Sequence, residues 1–386
     1  MRTYLTLLVL SLVLLLGCQG SYAPAKAPAK DAAGPNGNKD MRDVPALKAE
    51  IAQLQHELAT GRRDDPYAGL GLINVHEHLY TAANADTYLA AARLAGVAAT
   101  VFVASPDLTL HGKGDKGEPG MAKNFEEQIL AAAAAHPGEV IPFCTMDPKD
   151  PDKLERLKKH VAMGAKGLKL YTGHPTFADG PIDDPGMEPV FAYAEQTGLP
   201  ILWHINLDRF YDDFVKIMAR HPKLNVNIAH YGVTFFHADR PPYSWLVHLL
   251  ETYPNLFTDT SLGTRDILIK GFVAMESTRP QMQDLFKRFP KQILWGTDSV
   301  VTGNNEKTTG WYSKVLWATR DHLEQETFST ELAAGFSKYY PDGRNGDGAF
   351  QGLAIPPEIL RQVYHDNAMR WLHLDTAPPL PVVTTP

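Results

Sequence analysis

Four histidines and one aspartate are the residues of this chain whose positions most suggest chemistry. His76, His78, His204, His230 and Asp298 each stand at the end of a short apolar run. Imidazole nitrogens and a carboxylate oxygen are ligands that suit Zn²⁺, Mn²⁺ or Fe²⁺. A metal ion with an open coordination position lowers the pKa of a bound water toward about 7, which makes that water a nucleophile at neutral pH. The pattern therefore predicts a shared metal site that activates water.

The spacing between the first two histidines adds a geometric argument. The apolar run from Leu70 to Val75 leads directly into His76, Glu77 and His78. Side chains i and i+2 of a β-strand lie on the same face. We therefore expect both imidazoles to point to the same side of the first strand.

The elements that must position these residues alternate regularly along the chain. Apolar strand-like runs are separated by amphipathic or Ala-rich helical segments between residues 70 and 375. Eight such units over about 230 residues predict an α/β fold, a (β/α)8 TIM barrel, because that barrel typically takes about 250 residues. A doubly wound open sheet is the alternative, but the first βα turn carries no glycine fingerprint. The predicted strands are 70–75, 97–103, 140–144, 167–171, 200–204, 224–230, 256–259 and 293–298.

A barrel would bring the strand-end residues together, because all its strands run in one direction and their carboxyl ends meet at one mouth. The composition agrees with such a globular domain, since 44% of the residues are hydrophobic and 21% are charged. The net charge of −7 argues against a nucleic-acid partner, which would require a basic excess. The 2 cysteines exclude a disulfide scaffold and a Cys-rich zinc module.

The first residues have the pattern of a lipoprotein signal peptide, over residues 1–17. Arg2 precedes an apolar run from Leu5 to Leu16, which is too short to span a bilayer of about 30 Å as a helix. Gly17 and Cys18 follow and resemble the bacterial lipobox, in which the cysteine is lipidated. We expect a lipid anchor in the bacterial cell envelope, with Gln19 favouring the outer membrane, facing the periplasm, over the inner membrane. An ordinary secretory signal with an incidental Cys18 is the alternative.

The remaining segments follow from composition and periodicity. Residues 18–44 are rich in Pro, Ala and Gly and are expected to form a tether. Residues 45–66 have the spacing of an amphipathic helix that packs on the main domain, with a short coiled coil as the alternative. Residues 67–375 would form the barrel with a helical C-terminal extension, and residues 376–386 a disordered tail. Residues 326–356 are expected to be an insertion between the last barrel strand and the closing helix, with a surface loop at residues 339–348.

The combination of motifs resembles a known family. Its elements are the His76-x-His78 strand, His204 after an apolar strand, His230 before Tyr-Gly, and the strand that ends at Asp298. A closing Asn-Ala-x-Arg segment at residues 367–370 completes the set. Over about residues 70–375 the chain resembles the amidohydrolase superfamily, and more narrowly the group that includes aminocarboxymuconate-semialdehyde decarboxylase.

The resemblance implies roles for these residues. His76, His78, His204 and Asp298 would ligate one divalent metal, with Zn²⁺ favoured and Mn²⁺ and Fe²⁺ left open. His230 would be the catalytic histidine, and Asp298 would also transfer the proton of the water to the leaving group. Lys169 lies on the fourth predicted strand, where some binuclear members of the superfamily have a bridging lysine. It would bridge a second metal, bind a substrate carboxylate or form an ion pair inside the barrel, and one metal is favoured over two.

Three functions remain open at this point. The leading hypothesis is a metal-dependent hydrolase that acts on an amide, ester or lactone bond of a small molecule. Its rival is a metal-dependent lyase, which decarboxylates an unsaturated or aromatic carboxylic acid with the same ligands. A binding lipoprotein without catalytic activity is the third. The sequence leaves the substrate and the oligomeric state open.

Overall fold

The computed structural model describes residues 65–67, 69–104, 124–173, 182–234, 241–334 and 348–380. The predicted signal peptide, the lipidation site Cys18, the tether, residues 45–64 of the predicted amphipathic helix and residues 381–386 of the tail lie outside these ranges. Within the ranges, no helix combines the length and the apolar character that crossing a membrane requires.

Eight parallel strands form one sheet in which every strand pairs with its neighbours in sequence order. This arrangement confirms the predicted (β/α)8 barrel. Strands β1 and β2 are buried along their whole length, as expected for parallel strands that are covered on both faces. The strands are β1 (Leu72–Leu79), β2 (Val97–Ala104), β3 (Val140–Thr145), β4 (Gly167–Thr172), β5 (Ile201–Ile205), β6 (Val226–Ile228), β7 (Leu256–Asp259) and β8 (Ile293–Leu294).

Helices follow the strands and cover the outside of the sheet. Most end at a glycine or a polar residue, as at Gly198, whose φ of 68° is left-handed. Two of the helical segments, Asn124–Ile129 and Gln362–Asp366, have π-helical hydrogen bonding. The α-helices are α1 (Ala85–Leu94), α2 (Leu130–Ala135), α3 (Lys153–Met163), α4 (Glu188–Thr197), α5 (Leu207–Arg220), α6 (Pro241–Thr252), α7 (Arg265–Ser277), α8 (Arg279–Arg288), α9 (Thr309–Glu324), α10 (Pro357–Arg361) and α11 (Asn367–Trp371).

Hydrogen bonds between the last and the first strand region close the sheet. The amide of Val75 donates to the carbonyl of Trp295 at 3.0 Å, and the amide of Asp298 donates to the carbonyl of His76 at 2.8 Å. Gly296 permits this approach, because a Cβ there would lie 3.0 Å from the Cβ of His76. The segment after β8 is therefore fixed against β1, where the two predicted histidine ligands lie.

The interior of the barrel is filled by apolar side chains and plugged at the amino ends of the strands. Val75, Val101, Leu202 and Leu294 belong to this interior cluster, which Trp371 of α11 joins. The predicted closing segment therefore forms part of the helical C-terminal extension and packs under the barrel. This packing leaves the carboxyl ends of the strands for polar side chains.

Two strands are shorter than the sequence predicts. The strand predicted to reach residue 230 ends at Ile228, and His230 lies in the 3₁₀ segment Ala229–Val233 with a φ of 57°. The strand predicted to reach residue 298 ends at Leu294, and the φ of Asp298 is 54°. In the first case the amide of His230 donates to a carboxylate, Asp259 Oδ1 at 3.0 Å, instead of extending the β-ladder.

Part of the predicted insertion forms two short strands that pack against α7. Residues Thr327–Ser329 (β9) pair antiparallel with Ala349–Gln351 (β10). Phe328 and Phe350 stack with ring centroids 5.3 Å apart, and both contact Phe272. The two strands therefore pack against α7 through their aromatic residues, and the surface loop predicted at residues 339–348 lies outside the described ranges except for Gly348. Residues 335–347 lie outside the described ranges.

Candidate metal centre at the barrel mouth

The structure brings four of the five predicted site residues into one buried cluster. His76 and His78 come from β1, His230 from the segment after β6, and Asp298 from the segment after β8. The three histidines are buried, and 14% of the Asp298 side chain is exposed. The pairing register between β1 and β2 shifts between Asn74 and Glu77, so both imidazoles reach the interior just above the apolar plug.

The carboxylate of Asp298 lies between the three imidazoles. Its Oδ1 is 3.3 Å from His78 Nε2 and 3.8 Å from His76 Nε2, and its Oδ2 is 3.6 Å from His230 Nε2. Ligands about 2.0–2.2 Å from a tetrahedral Zn²⁺ are separated by about 3.3–3.6 Å. Oδ1 is buried and has no hydrogen-bond partner in the described part of the chain. The donor set and its spacing therefore fit one divalent cation.

Hydrogen bonds on the opposite ring nitrogens set the tautomers of these histidines. His78 Nδ1 is 3.1 Å from the carbonyl of Ala104, and His230 Nδ1 is 3.0 Å from the carbonyl of Ser261. A carbonyl can only accept, so both Nδ1 atoms carry the hydrogen. His76 Nδ1 lies 3.2 Å from Asp259 Oδ2, another acceptor. Each Nε2 consequently presents a lone pair toward Asp298, as a metal ligand requires.

The electrostatics of the pocket favour neutral imidazoles. Burial lowers the pKa of His76 to about 3 and that of His230 to about 4, and it lowers the pKa of His78 well below its usual value. Burial raises the pKa of Asp298 well above its usual value, although Lys169 opposes this shift. A bound cation would stabilise the ionised carboxylate, because it would supply the opposite charge that the pocket lacks.

Lys169 lies inside this cluster and contacts one of the predicted ligands. Its Nζ is 2.9 Å from His76 Nε2, and the residue is fully buried on β4. Burial lowers the pKa of Lys169 to about 8, against the opposing influence of Asp298 and Asp259. A metal on His76 Nε2 requires Lys169 to release this contact. The contact places Lys169 at the site, and the three roles predicted for it stay open.

His204 is the predicted ligand that the structure separates from the others. It lies half-buried on β5, and its ring packs edge-on against His230 with centroids 5.0 Å apart. The described residues contain two groups of three closely spaced ligand atoms, and His204 belongs to neither of them. One group is His76, His78 and Asp298; the other is His76, His230 and Asp259.

Sequence reasoning missed Asp259 and Ser261, which support the histidines from below. Asp259 Oδ2 faces His76 Nδ1 and accepts from Asn227 Nδ2 at 2.9 Å, and the Ser261 hydroxyl lies 2.8 Å from His230 Nδ1. Burial alone would raise the pKa of Asp259, but His76, His230 and these hydrogen bonds hold it below its usual range. The position of Asp259 at the end of β7 is the same signal that identified the other site residues.

Comparison with known proteins identifies the family. A family model described as amidohydrolase matches residues 73–374. The chain belongs to the amidohydrolase family. The match includes the strand-end histidines and Asp298, so the predicted resemblance to the amidohydrolase superfamily is confirmed for the barrel of this amidohydrolase. No curated protein matched the chain.

Several solved structures are similar to that of this amidohydrolase. One, from Pseudomonas putida, bears the name of a 2-pyrone-4,6-dicarboxylic acid hydrolase; it is 15% identical, with a TM-score of 0.52 over 80% of this chain and 99% of its own. A protein of the same name from Acinetobacter baumannii, with citric acid bound, is 12% identical, with a TM-score of 0.49 over 79% and 100%. A 2,6-dihydroxybenzoate decarboxylase from Rhizobium is 14% identical, with a TM-score of 0.48 over 79% and 99%.

Proposed function

We propose that this amidohydrolase is a metal-dependent hydrolase that cleaves an amide, ester or lactone bond of a small molecule with water as the nucleophile. One observation supports the proposal above all others. Within the described part of the chain, the buried Asp298 Oδ1 has no hydrogen-bond partner, and it lies 3.3 Å and 3.8 Å from the Nε2 atoms of two neutral histidines. An unpaired buried carboxylate oxygen is costly, and a cation held there would remove that cost.

In this proposal each residue of the cluster has a distinct task. His76, His78 and Asp298 would hold the divalent metal, with Zn²⁺ favoured, and His204 is kept as a fourth proposed ligand. When bound, the metal would act as a Lewis acid and lower the pKa of water. His230 Nε2 carries a lone pair and lies 3.6 Å from Asp298 Oδ2, so these two groups can accept the proton of the attacking water. Asp298 would then return the proton to the leaving group.

The rival function is the non-oxidative decarboxylation of an unsaturated or aromatic carboxylic acid, and a different observation favours it. In that reaction a carbon–carbon bond breaks, carbon dioxide leaves, and the carbon takes a proton from an acid. Lys169 is a fully buried cation whose Nζ lies 2.9 Å from His76 Nε2, beside the proposed metal, where the carboxylate that every such substrate carries could bind. Lys169 would hold the carboxylate of the substrate in either reaction.

The first experiment is elemental analysis of the purified protein beside a His76→Ala/His78→Ala variant and a His136→Ala/His365→Ala control. We expect about one metal per chain, which only the first variant loses. About two metals would assign Lys169 to a bridging role. No metal after supplementation would contradict both catalytic proposals and favour a binding protein without catalytic activity.

A second measurement separates the two reactions. Metal-loaded protein is tested in a pH-stat against lactones and esters, by amine release against amides, and by carbon dioxide release against aromatic and unsaturated acids. Acid production that needs His230 and Asp298 would support the hydrolase. Carbon dioxide release without acid production would support the lyase and contradict the hydrolase.

We also propose that Cys18 anchors the protein in the bacterial cell envelope, at the outer membrane in preference to the inner membrane. The support is the order of Arg2, the apolar run to Leu16, Gly17 and Cys18 in the sequence. Labelled palmitate should enter the wild type and not a Cys18→Ser variant. Equal labelling of both, or labelling of neither, would contradict the proposal.

A further inference from the structure

Glu77 is a fully buried carboxylate that lies between two predicted metal ligands in sequence but does not join them in space. Its oxygens accept hydrogen bonds from the hydroxyl of Thr297, the amide and hydroxyl of Ser299 (3.1 Å and 2.9 Å) and the amide of Val300 (3.2 Å). These donors flank Asp298 on both sides. Glu77 therefore binds the backbone that presents the Asp298 carboxylate.

The segment of residues 297–300, here named the Asp298 turn, has a backbone that needs restraint. Asp298 has a φ of 54° and Val300 a φ of 60°, both in the left-handed region, which is unfavourable for residues with a Cβ. Lys307 Nζ donates to the carbonyls of Ser299 and Val300. Side-chain contacts thus hold both the amides and the carbonyls of this turn.

Strand geometry explains why one short segment supplies both ligands and restraint. His76 and His78 point into the barrel, so the residue between them must point out of it. There Glu77 meets Asn74, whose Nδ2 also donates to Thr297 Oγ1 at 2.8 Å. Glu77, the outward residue of the segment, therefore contacts the residues on either side of Asp298. The carboxylate of Asp298 itself faces His76 and His78, the two inward residues.

We propose that Glu77 is a positioning residue that holds the Asp298 turn, so that Asp298 faces His76, His78 and His230. The restraint of the turn stands on the contacts above, whereas its consequence for metal binding rests on the proposed function. The carboxylate supplies acceptors on both oxygens. In Glu77→Gln one oxygen becomes an NH₂ donor and can no longer accept from the turn.

The test compares the wild type with Glu77→Gln in two measurements. Hydrogen exchange of a peptide covering residues 297–301, followed by mass spectrometry without metal, reports the turn; we expect exchange at least about tenfold faster in the variant. Titration with Co²⁺ reports the site; we expect binding about 10–100-fold weaker, as for other residues that orient metal ligands. The Co²⁺ absorption spectrum of Glu77→Gln should shift toward that of Asp298→Asn.

Glu324→Gln is the matched control, because Glu324 is also a buried carboxylate but contacts Arg320 and Tyr364, away from the Asp298 turn. We expect it to lower stability without changing the Co²⁺ spectrum or the exchange of residues 297–301. If Glu77→Gln does not fold, Ser299→Ala replaces it, because this variant removes only the hydrogen bond from the Ser299 hydroxyl to Glu77. We expect it to change hydrogen exchange and Co²⁺ binding in the same direction but by a smaller factor.

Unchanged exchange and unchanged Co²⁺ binding in a folded Glu77→Gln variant would overturn the proposal. The two proposals fail in different ways. A wild type that binds no Co²⁺ contradicts the proposed function, and the exchange of the turn still decides the role of Glu77.

Discussion

Both ends of the barrel bury charged groups, but they differ in how completely those groups are paired. At the amino ends of the strands, Arg320 is fully buried and donates to Asp65 at 2.6 Å and 2.9 Å and to Glu324 at 2.8 Å. It also donates to the carbonyl of Ala95. At the carboxyl ends, Asp298 Oδ1 is buried without a hydrogen-bond partner among the described residues.

This difference indicates that the buried charges at the amino ends stabilise the fold, whereas those at the carboxyl ends serve the proposed site. A buried polar atom without a partner costs about 1–3 kcal/mol, so a folded protein retains such an atom only where something offsets the cost. The base of this barrel uses its buried charges to join α9 to the residues before β1. The mouth leaves one carboxylate oxygen, Asp298 Oδ1, without a hydrogen-bond partner among the described residues, and a bound cation would offset that cost.

The largest effect is expected from Asp298→Asn, which changes the unpaired carboxylate alone. Turnover should fall by about 10²–10⁴-fold, because the amide can neither accept the proton of the water nor return it. The midpoint of thermal unfolding should stay the same or rise, since the variant no longer buries an ionisable group. Full turnover with metal bound would reject the proton-transfer role of Asp298.

Arg320→Met tests the other end of the comparison. The variant leaves Glu324, whose side chain is 5% exposed, and the partly buried Asp65 without their cation, and breaking a buried pair costs about 3–5 kcal/mol. Urea unfolding should show this loss, whereas metal content per folded chain should not change. Arg288→Met, which removes an exposed guanidinium, should cost no more than about 1 kcal/mol. A loss of metal from folded Arg320→Met would show that the charged groups at the amino ends also determine metal binding, which contradicts the proposed difference between the two ends.

A smaller, pH-dependent effect is expected at His322, which packs among Phe272, Phe328 and Met275 near the end of α9. Burial lowers its pKa from 6.5 to about 3. Between these values the unfolded chain binds a proton that the folded chain does not, so stability is lost as the pH falls below about 6.5. The slope from this group approaches about 1.4 kcal/mol per pH unit.

His322→Leu should therefore lose less stability than the wild type between pH 7.5 and pH 5, as urea unfolding at both pH values would show. The exposed His248 provides the control, and His248→Gln should keep the wild-type slope. Identical slopes in all three proteins would show that His322 has no part in the acid sensitivity.

Much of the fold and part of the site follow from local patterns in the sequence. The alternation of strand-like and helical runs predicted the barrel, and the rule that strand ends meet at one mouth placed His76, His78, His230 and Asp298 together. The roles of these residues stay predictions until metal and turnover are measured. His204 satisfied the same rule and its ring packs against His230, yet it joins neither group of closely spaced ligand atoms in the described residues, because the rule gives the end of a strand and not the direction of a side chain.

The sequence by itself determined the order of the elements and which residues stand at strand ends, because periodicity and spacing are local properties. Only the tertiary structure decided that Lys169 contacts His76, that Asp259 supports it, and that Glu77 holds the Asp298 turn. The hydrogen bond from Ser299 to Glu77 joins residues 222 positions apart. Such contacts arise when the barrel closes between its last and first strands, and no local pattern in the chain encodes that closure.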